Sequence, residues 1–312
     1  MDEAPEKLSV WWKRSVLLIV AVCFVVLIWV AITSYTNEPP IPEKVIDSSG
    51  HVIFTNETIL AGQEVFLKNG LMQNGSIWGH GAYLGPDFSA EYLHTLSVDA
   101  ADGISRQRYG RGISELRDDE RTIITALTAR LLKENRYDAK TGRLLFTPEE
   151  AFSYQNQKVK WKNYFTEKRV NRGLSHEAIS DLSEIEKLTA FFAWTAWASI
   201  ANRPGKDYSY TNNFPYEPMA GNRPTAQTIL WSALSLITLL AGTAAVLFSF
   251  GKFGYLGWKG RKEHIHPRML PGVPSETQLA TIKYFAVAAL LFFVQVNVGA
   301  ATAHFRADPS SF

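Results

Sequence analysis

Three runs of this chain are too long and too apolar for the core of a small soluble domain. Ser15 to Thr33, Thr228 to Phe250 and Leu279 to Ala303 are nearly free of charge. Each is about 19 to 25 residues, enough to cross a hydrocarbon core of roughly 30 Å as a helix. Bulk composition hides this, since 46% hydrophobic, 20% charged and a net charge of +2 describe an ordinary soluble protein. Three spans put the two ends of the sequence on opposite sides of a bilayer.

Lys and Arg near span ends stay on the cytoplasmic side. Lys7, Lys13 and Arg14 precede the first run, and Lys252, Lys259, Arg261, Lys262 and Arg268 lie between the second and third. The expected order is therefore a cytoplasmic N-terminus over 1–14, a membrane helix over 15–34 and an outer domain over 35–224. A second membrane helix over 225–251, a cytoplasmic basic loop over 252–277, a third membrane helix over 278–304 and an outer end over 305–312 follow. The alternative for the first run, a cleavable signal peptide, fits less well. The apolar stretch exceeds a usual h-region and no small-x-small site follows it.

The single cysteine, Cys23, falls inside the first run, so the outer block has no disulfide, no thiol metal ligand and no means of attaching a c-type haem covalently. The outer block reads as mostly helical and large enough for its own core. Thr58 to Lys68 has the spacing of a short amphipathic helix closed by Asn69-Gly70. Asp118 or Asp119 can cap a helix with Ile123, Ile124, Leu127 and Leu131 on one face, and a further helix is expected from Leu182 to Ile200. The basic and aromatic stretch from Lys158 to Tyr164 reads as a solvated amphipathic face, since nucleic acid is not a partner outside a membrane. Residues 202–224 are dense in Pro, Gly, Asn and Tyr, which predicts a turn-rich loop at the membrane surface, with Tyr208, Tyr210, Phe214 and Tyr216 suited to headgroups.

The most specific string is Gly75 to Glu91, GSIWGHGAYLGPDFSAE. Gly79, Gly81 and Gly85 permit tight turns, and His80 can bond or ligate, a lone loop histidine being more often a structural hydrogen-bonding residue than a metal ligand. This string with the following YLH, FFAWTAW (Phe191 to Trp197), NRPGKDYSYTNNFPYEP and the final GAATAHFRADPSSF resembles the N-terminal part of bacterial quinol-dependent nitric oxide reductases, over nearly the whole chain. Those enzymes, in the haem-copper oxidase superfamily, resemble a membrane-anchored cytochrome c subunit fused to a catalytic helical subunit, the cytochrome domain having lost its haem. Leu71 to Gly75 stands where a haem-binding relative carries Cys-x-x-Cys-His.

The resemblance implies a mainly α membrane protein: three transmembrane helices plus an outer, cytochrome c-like domain without haem c, in the bacterial inner membrane with the large domain on the periplasmic side. It implies calcium at the GHGAY segment, carried onto Gly81 and Tyr83, whose carbonyl and phenol oxygens suit a hard cation. It also implies a quinol site at His304, Asp308 and Phe312. Residues four apart share a helix face, with Pro309 expected to end the helix near Asp308. There the histidine accepts a hydroxyl proton and the carboxylate holds the other end of the ring. Many relatives carry glutamate at the acidic position, which leaves the reach of the aspartate open, and a cluster that only anchors the helix end is the alternative. Arg306 points off that face, toward lipid phosphate or a haem propionate.

Gln295 and Asn297, costly against lipid, are expected to face other helices. The ligands of haem b, haem b3 and non-haem iron lie, in the family, in later helices. The seven histidines here (His51, His80, His94, His176, His264, His266 and His304) do not supply them. The expectation is thus a fragment or a split half, whose partners are membrane quinol, the remaining catalytic helical bundle, the lipid bilayer and, as an open option, a second copy in a homodimer. Its function would be the quinol-oxidising portion of a reaction turning two nitric oxides and quinol into nitrous oxide, water and quinone. The alternatives are a non-catalytic docking subunit or part of an oxygen-reducing relative.

Overall fold

The structure, a computed structural model, describes residues 10–167, 174–175, 177–253 and 276–307. Helix α1, Val10–Thr36, belongs to a compact unit that ends at Ile41. Its Leu17–Thr36 segment is long and apolar enough to cross a membrane, and the apolar stretch has no residue buried inside the protein.

The second unit begins at Pro42. Strands β1 (Lys44–Ile46) and β2 (Val52–Thr55) form a hairpin that feeds α2 (Asn56–Lys68). A short 3-10 turn at Leu71–Gln73 and a two-residue ladder, β3 (Ser76–Ile77) with β4 (His80–Gly81), lead into α3 (Phe88–Tyr109). Helix α4 (Asp118–Lys133) is followed by β5 (Tyr137–Asp138) and β6 (Arg143–Leu145), then α5 (Pro148–Thr166) and α6 (Leu182–Ile200). Four of the strands make one small sheet in the order β2-β1-β6-β5, with β1 and β6 parallel. Two long helices follow, α7 (Ala226–Phe253) and α8 (Glu276–Ala307).

Helix starts are written in side chains. Asp87 accepts from Ala90 N at 2.9 Å to begin α3, and Gly110 ends that helix with φ +69°, a conformation open to glycine. At α5, Thr147 and Glu150 cap each other's backbone N–H at 3.3 and 2.7 Å, with Pro148 in the first turn, where its missing N–H costs nothing.

Helix α6 is the axis of the domain: from Leu188 to Ile200 only Trp194 is not buried. It packs on α2, α3 and α5 around an aromatic centre. The Phe88 and Phe192 rings stack at 4.8 Å and 11°, Trp161 lies 4.9 Å from Phe192, and Phe66, Tyr164 and Phe165 close the cluster around Phe88. Offset-stacked and edge-on pairs of this kind add to the free energy of burial alone.

Helix α6 spans the residues expected of it, and α2 begins two residues before the expected Thr58. Helix α4 differs from expectation in two respects. Its N-cap is Arg117, whose backbone N–H donates to Glu120 at 3.0 Å, while Asp118 and Asp119 lie inside the first turn, where carboxylates meet the positive helix end. Its buried face is Glu120, Ile124, Thr128 and Leu132, with Ile123 turned outward. The basic aromatic stretch from Lys158 is the second half of α5: its lysines point out, and Trp161, Tyr164 and Phe165 are core.

The turn-rich segment 202–224 folds back on the domain through Tyr210 and Asn222. Tyr210 lies 5.5 Å from Trp197 with the Arg203 guanidinium over its ring, and Asn222 donates to the Ser199 and Pro215 carbonyls. Helix α7 meets the length and apolarity of a membrane span over Ala226–Ser249, so two helices of the described residues do so. The third expected span falls on α8, whose shorter described apolar stretch is Lys283–Val298. There Asn297 donates to its own helix, at Phe293 O (2.7 Å).

Candidate functional site

The Gly75–Asp87 segment is a compact knot organised by one buried carboxylate. Asp87 accepts Ser76 Oγ at 2.9 Å and Gly79 N at 2.6 Å on Oδ2, and Ser89 Oγ and Ala90 N on Oδ1. Four donors on one carboxylate satisfy both of its oxygens in the interior. Ser89 in turn receives Trp78 N at 3.0 Å, and the Trp78 indole N–H donates to Thr195 O on α6 at 3.0 Å. The knot is thereby tied to both α3 and α6. The backbone bends through Trp78 at φ +52° and Gly81 at φ +141°. A Cβ at Gly81 would meet Ser76 Cα at 2.8 Å, so this position is closed to any side chain.

The knot pushes a tip outward. His80, Gly81, Tyr83 and Leu84 are not buried, and Ala82 N donates back to the Met72 and Gly75 carbonyls at 2.8 and 3.0 Å. Of the expected cation ligands, Gly81 and Tyr83 therefore share this tip. Among the described residues no group of three His, Cys, Asp or Glu side chains surrounds them or any other point.

The expected quinol residues fare differently. Helix α8 carries its backbone through His304 to Ala307, so the helical path that the four-residue spacing requires extends past the histidine. Asp308 and Phe312 lie outside the described residues.

Leu71 to Gly75, the place of a haem-attachment motif in the resembled family, forms the 3-10 turn. Leu71, Asn74 and Gly75 are buried, and Met72 is exposed. A Cβ at Gly75 would reach 2.7 Å from the Phe88 ring, which belongs to the aromatic centre.

Two further polar sites carry no clear mark in the sequence. His94 Nδ1 lies 2.9 Å from Glu217 Oε2, joining α3 to the 202–224 segment, with the Glu217 side chain almost fully buried. The hydrogen bond to Glu217 raises the His94 pKa above its ordinary value, against the opposing effect of burial. Beside it, Lys160 on α5 donates to Glu91 and Thr95, both at 2.6 Å. Asp87, by contrast, has a sequence signal, an aspartate just before an apolar run. The His94 and Glu217 pair, 123 residues apart, has none.

Residues 42–216, more than half of the chain, match a family described as the cytochrome c-like domain of the nitric oxide reductase NorB. No curated protein matches the chain.

Proposed function

We propose, on the premise that this chain belongs to the NorB family of nitric oxide reductases through its cytochrome c-like domain, that it is the quinol-oxidising front part of a membrane enzyme reducing nitric oxide. In this reading α1, α7 and α8 all cross the bacterial inner membrane, and the domain over 42–216 faces the periplasm. Two electrons and two protons leave a quinol at the outer end of α8 and, with two nitric oxide molecules, give nitrous oxide and water. His304 takes one hydroxyl proton, and Asp308 holds the opposite end of the ring and passes a proton outward, with Phe312 flanking the ring. The reducing centre, with haem b, haem b3 and non-haem iron, belongs to helices outside this chain.

The domain carries no haem c in this reading. Its residues do not fit one: the sole thiol, Cys23, lies on α1, Leu71–Gly75 carries neither cysteine nor histidine, and Phe88, Phe192 and Trp161 fill the centre. Electrons then enter from the lipid phase. The Gly81 carbonyl and Tyr83 phenol supply two hard oxygens toward a calcium ion whose remaining ligands come from the rest of the helical bundle.

The observation that carries the reading is the family match over 42–216 combined with a helix that runs through His304. The test is His304→Ala and Asp308→Ala in the enzyme with its catalytic bundle. Quinol-driven turnover should fall by about 10²-fold or more, the usual size of a lost acid-base group, while turnover with an artificial reductant persists. Unchanged quinol kinetics would favour a domain that only docks and stabilises its partner.

A further inference from the structure

A cavity of about 600 Å3 opens where the outer domain meets the start of α7, a volume in the usual range of small-ligand sites. Its lining is Asp207, Tyr208 and Asn212 from the turn segment, and Thr225, Gln227, Thr228, Trp231 and Ser232 from the first turns of α7. The local sequence builds it rigidly. Arg203 N donates to Tyr208 O at 2.9 Å, Thr225 N donates to Asn212 O at 3.2 Å, and the Thr225 and Thr228 hydroxyls bond each other at 2.9 Å.

The cavity sits on a chemical boundary. On one side the lining is hydroxyl, amide and carboxylate. On the other, Ile229, Leu230, Leu234, Leu236 and Ile237 begin the exposed apolar wall of α7. The Trp231 indole, 62% exposed, stands at the join, the level at which Trp settles in a bilayer interface. A ligand that satisfies both halves has a compact polar head and an apolar tail. Asp207 is the one acidic side chain in the lining, and among the described residues no hydrogen bond ties up its carboxylate; the Lys133 ammonium, which donates to Gly221 O at 2.7 Å, lies within electrostatic reach of it from outside the lining. A head bearing only negative charge is repelled there, and an ammonium is attracted.

We propose that this cavity holds the headgroup of an aminophospholipid, with its primary ammonium on Asp207 and Tyr208, and its phosphate and ester oxygens on the hydroxyl and amide donors of Asn212, Gln227, Thr228 and Ser232. The acyl chains run down the apolar wall of α7. A primary ammonium donates three hydrogen bonds, which a trimethylammonium cannot, so the site discriminates ethanolamine from choline heads as well as from glycerol heads.

The experiment uses the full chain in lipid nanodiscs made from equal parts of phosphatidylethanolamine, phosphatidylglycerol and phosphatidylcholine. Lipid retained after detergent extraction is read by native mass spectrometry. Phosphatidylethanolamine should be retained about ten-fold over either competitor, a margin worth about 1.4 kcal/mol. Asp207→Asn, a near-isosteric change at an exposed side chain, should abolish that preference, and Asp207→Lys should turn it toward phosphatidylglycerol. Equal retention of the three lipids overturns the proposal, as does a preference that survives Asp207→Asn. Failure of the chain to enter nanodiscs at all would overturn it too, by striking the membrane placement of α1 and α7 on which it rests.

Discussion

Gly62 on α2 and Lys187 on α6 meet backbone against backbone. A Cβ at position 62 would press into the Lys187 carbonyl and lie 2.8 Å from Phe191 Cβ. The two helices can make the most extensive helix contact of the domain because residue 62 has no side chain. Gly62→Ala should force them apart and destabilise the domain by about 1–3 kcal/mol, the range for overpacking. Gly103→Ala is the contrast: in the interior of α3 a methyl there meets only the flexible Glu149 side chain at 3.4 Å. It should be neutral or stabilising by up to about 1 kcal/mol. Urea unfolding of both variants checks the pair.

The aromatic centre has a similar test. Phe192 touches Phe88, Trp161 and Phe66 with no exposed surface, so Phe192→Ala opens a void that rigid ring neighbours close poorly. A loss of about 3–5 kcal/mol is expected. Near-ultraviolet circular dichroism should report a lost asymmetric environment around Trp161, and a variant as stable as the parent would show that the rings do not form one packed unit.

These two positions also mark what is legible in the sequence. Helix α6 reads directly because Leu182–Ile200 is a long apolar stretch behind a capping aspartate, and the long apolar helices announce themselves by length. Helix α3 does not, because its buried face is built largely from small residues such as Ala90, Ser97, Ala100, Ala101 and Ser105, which give a weak apolar rhythm. Strands of two to four residues carry too few positions for alternation to register. The carboxylate network of Asp87 and the tie between His94 and Glu217 depend on chain crossings that spacing does not encode. Gly81 and Tyr83 stand out by resemblance alone, and the structure adds the reason position 81 tolerates nothing larger.

Arg136 and Glu150 form a buried ion pair at 2.7 Å, and the arginine also donates to the Leu131 and Leu145 carbonyls. Burial nevertheless pushes the Glu150 pKa up, because removal from water outweighs the attraction of the guanidinium. Arg136→Met would leave that carboxylate without its cation, at a cost of about 3–5 kcal/mol near neutrality. The folded carboxyl favours its proton more than the unfolded one does, so the deficit should shrink as pH falls through the folded pKa. A deficit constant across an acid titration of urea midpoints would contradict this account.

His94 gives the opposite dependence. Its folded pKa is raised, first by the hydrogen bond to Glu217, with the Glu217 and Glu91 charges adding and Lys160 on α5 opposing. A histidine that gains a proton more readily when folded contributes its full stabilisation below the unfolded value of about 6.5. That contribution is lost as pH rises through the folded value. What weakens is a charge-assisted tie between α3 and the segment leading into α7: deprotonation removes the cation beside buried Glu217, which keeps the backbone N–H of Met219 at 3.0 Å and, in the Nδ1–H tautomer, only a neutral imidazole donor. The melting temperature of the parent chain should therefore decline, as pH rises from about 6.5 through the raised folded value, more steeply than that of His94→Gln, which keeps an amide donor but does not titrate. Superimposable pH profiles for the two proteins would show that the pair does not hold the segment, whatever its geometry.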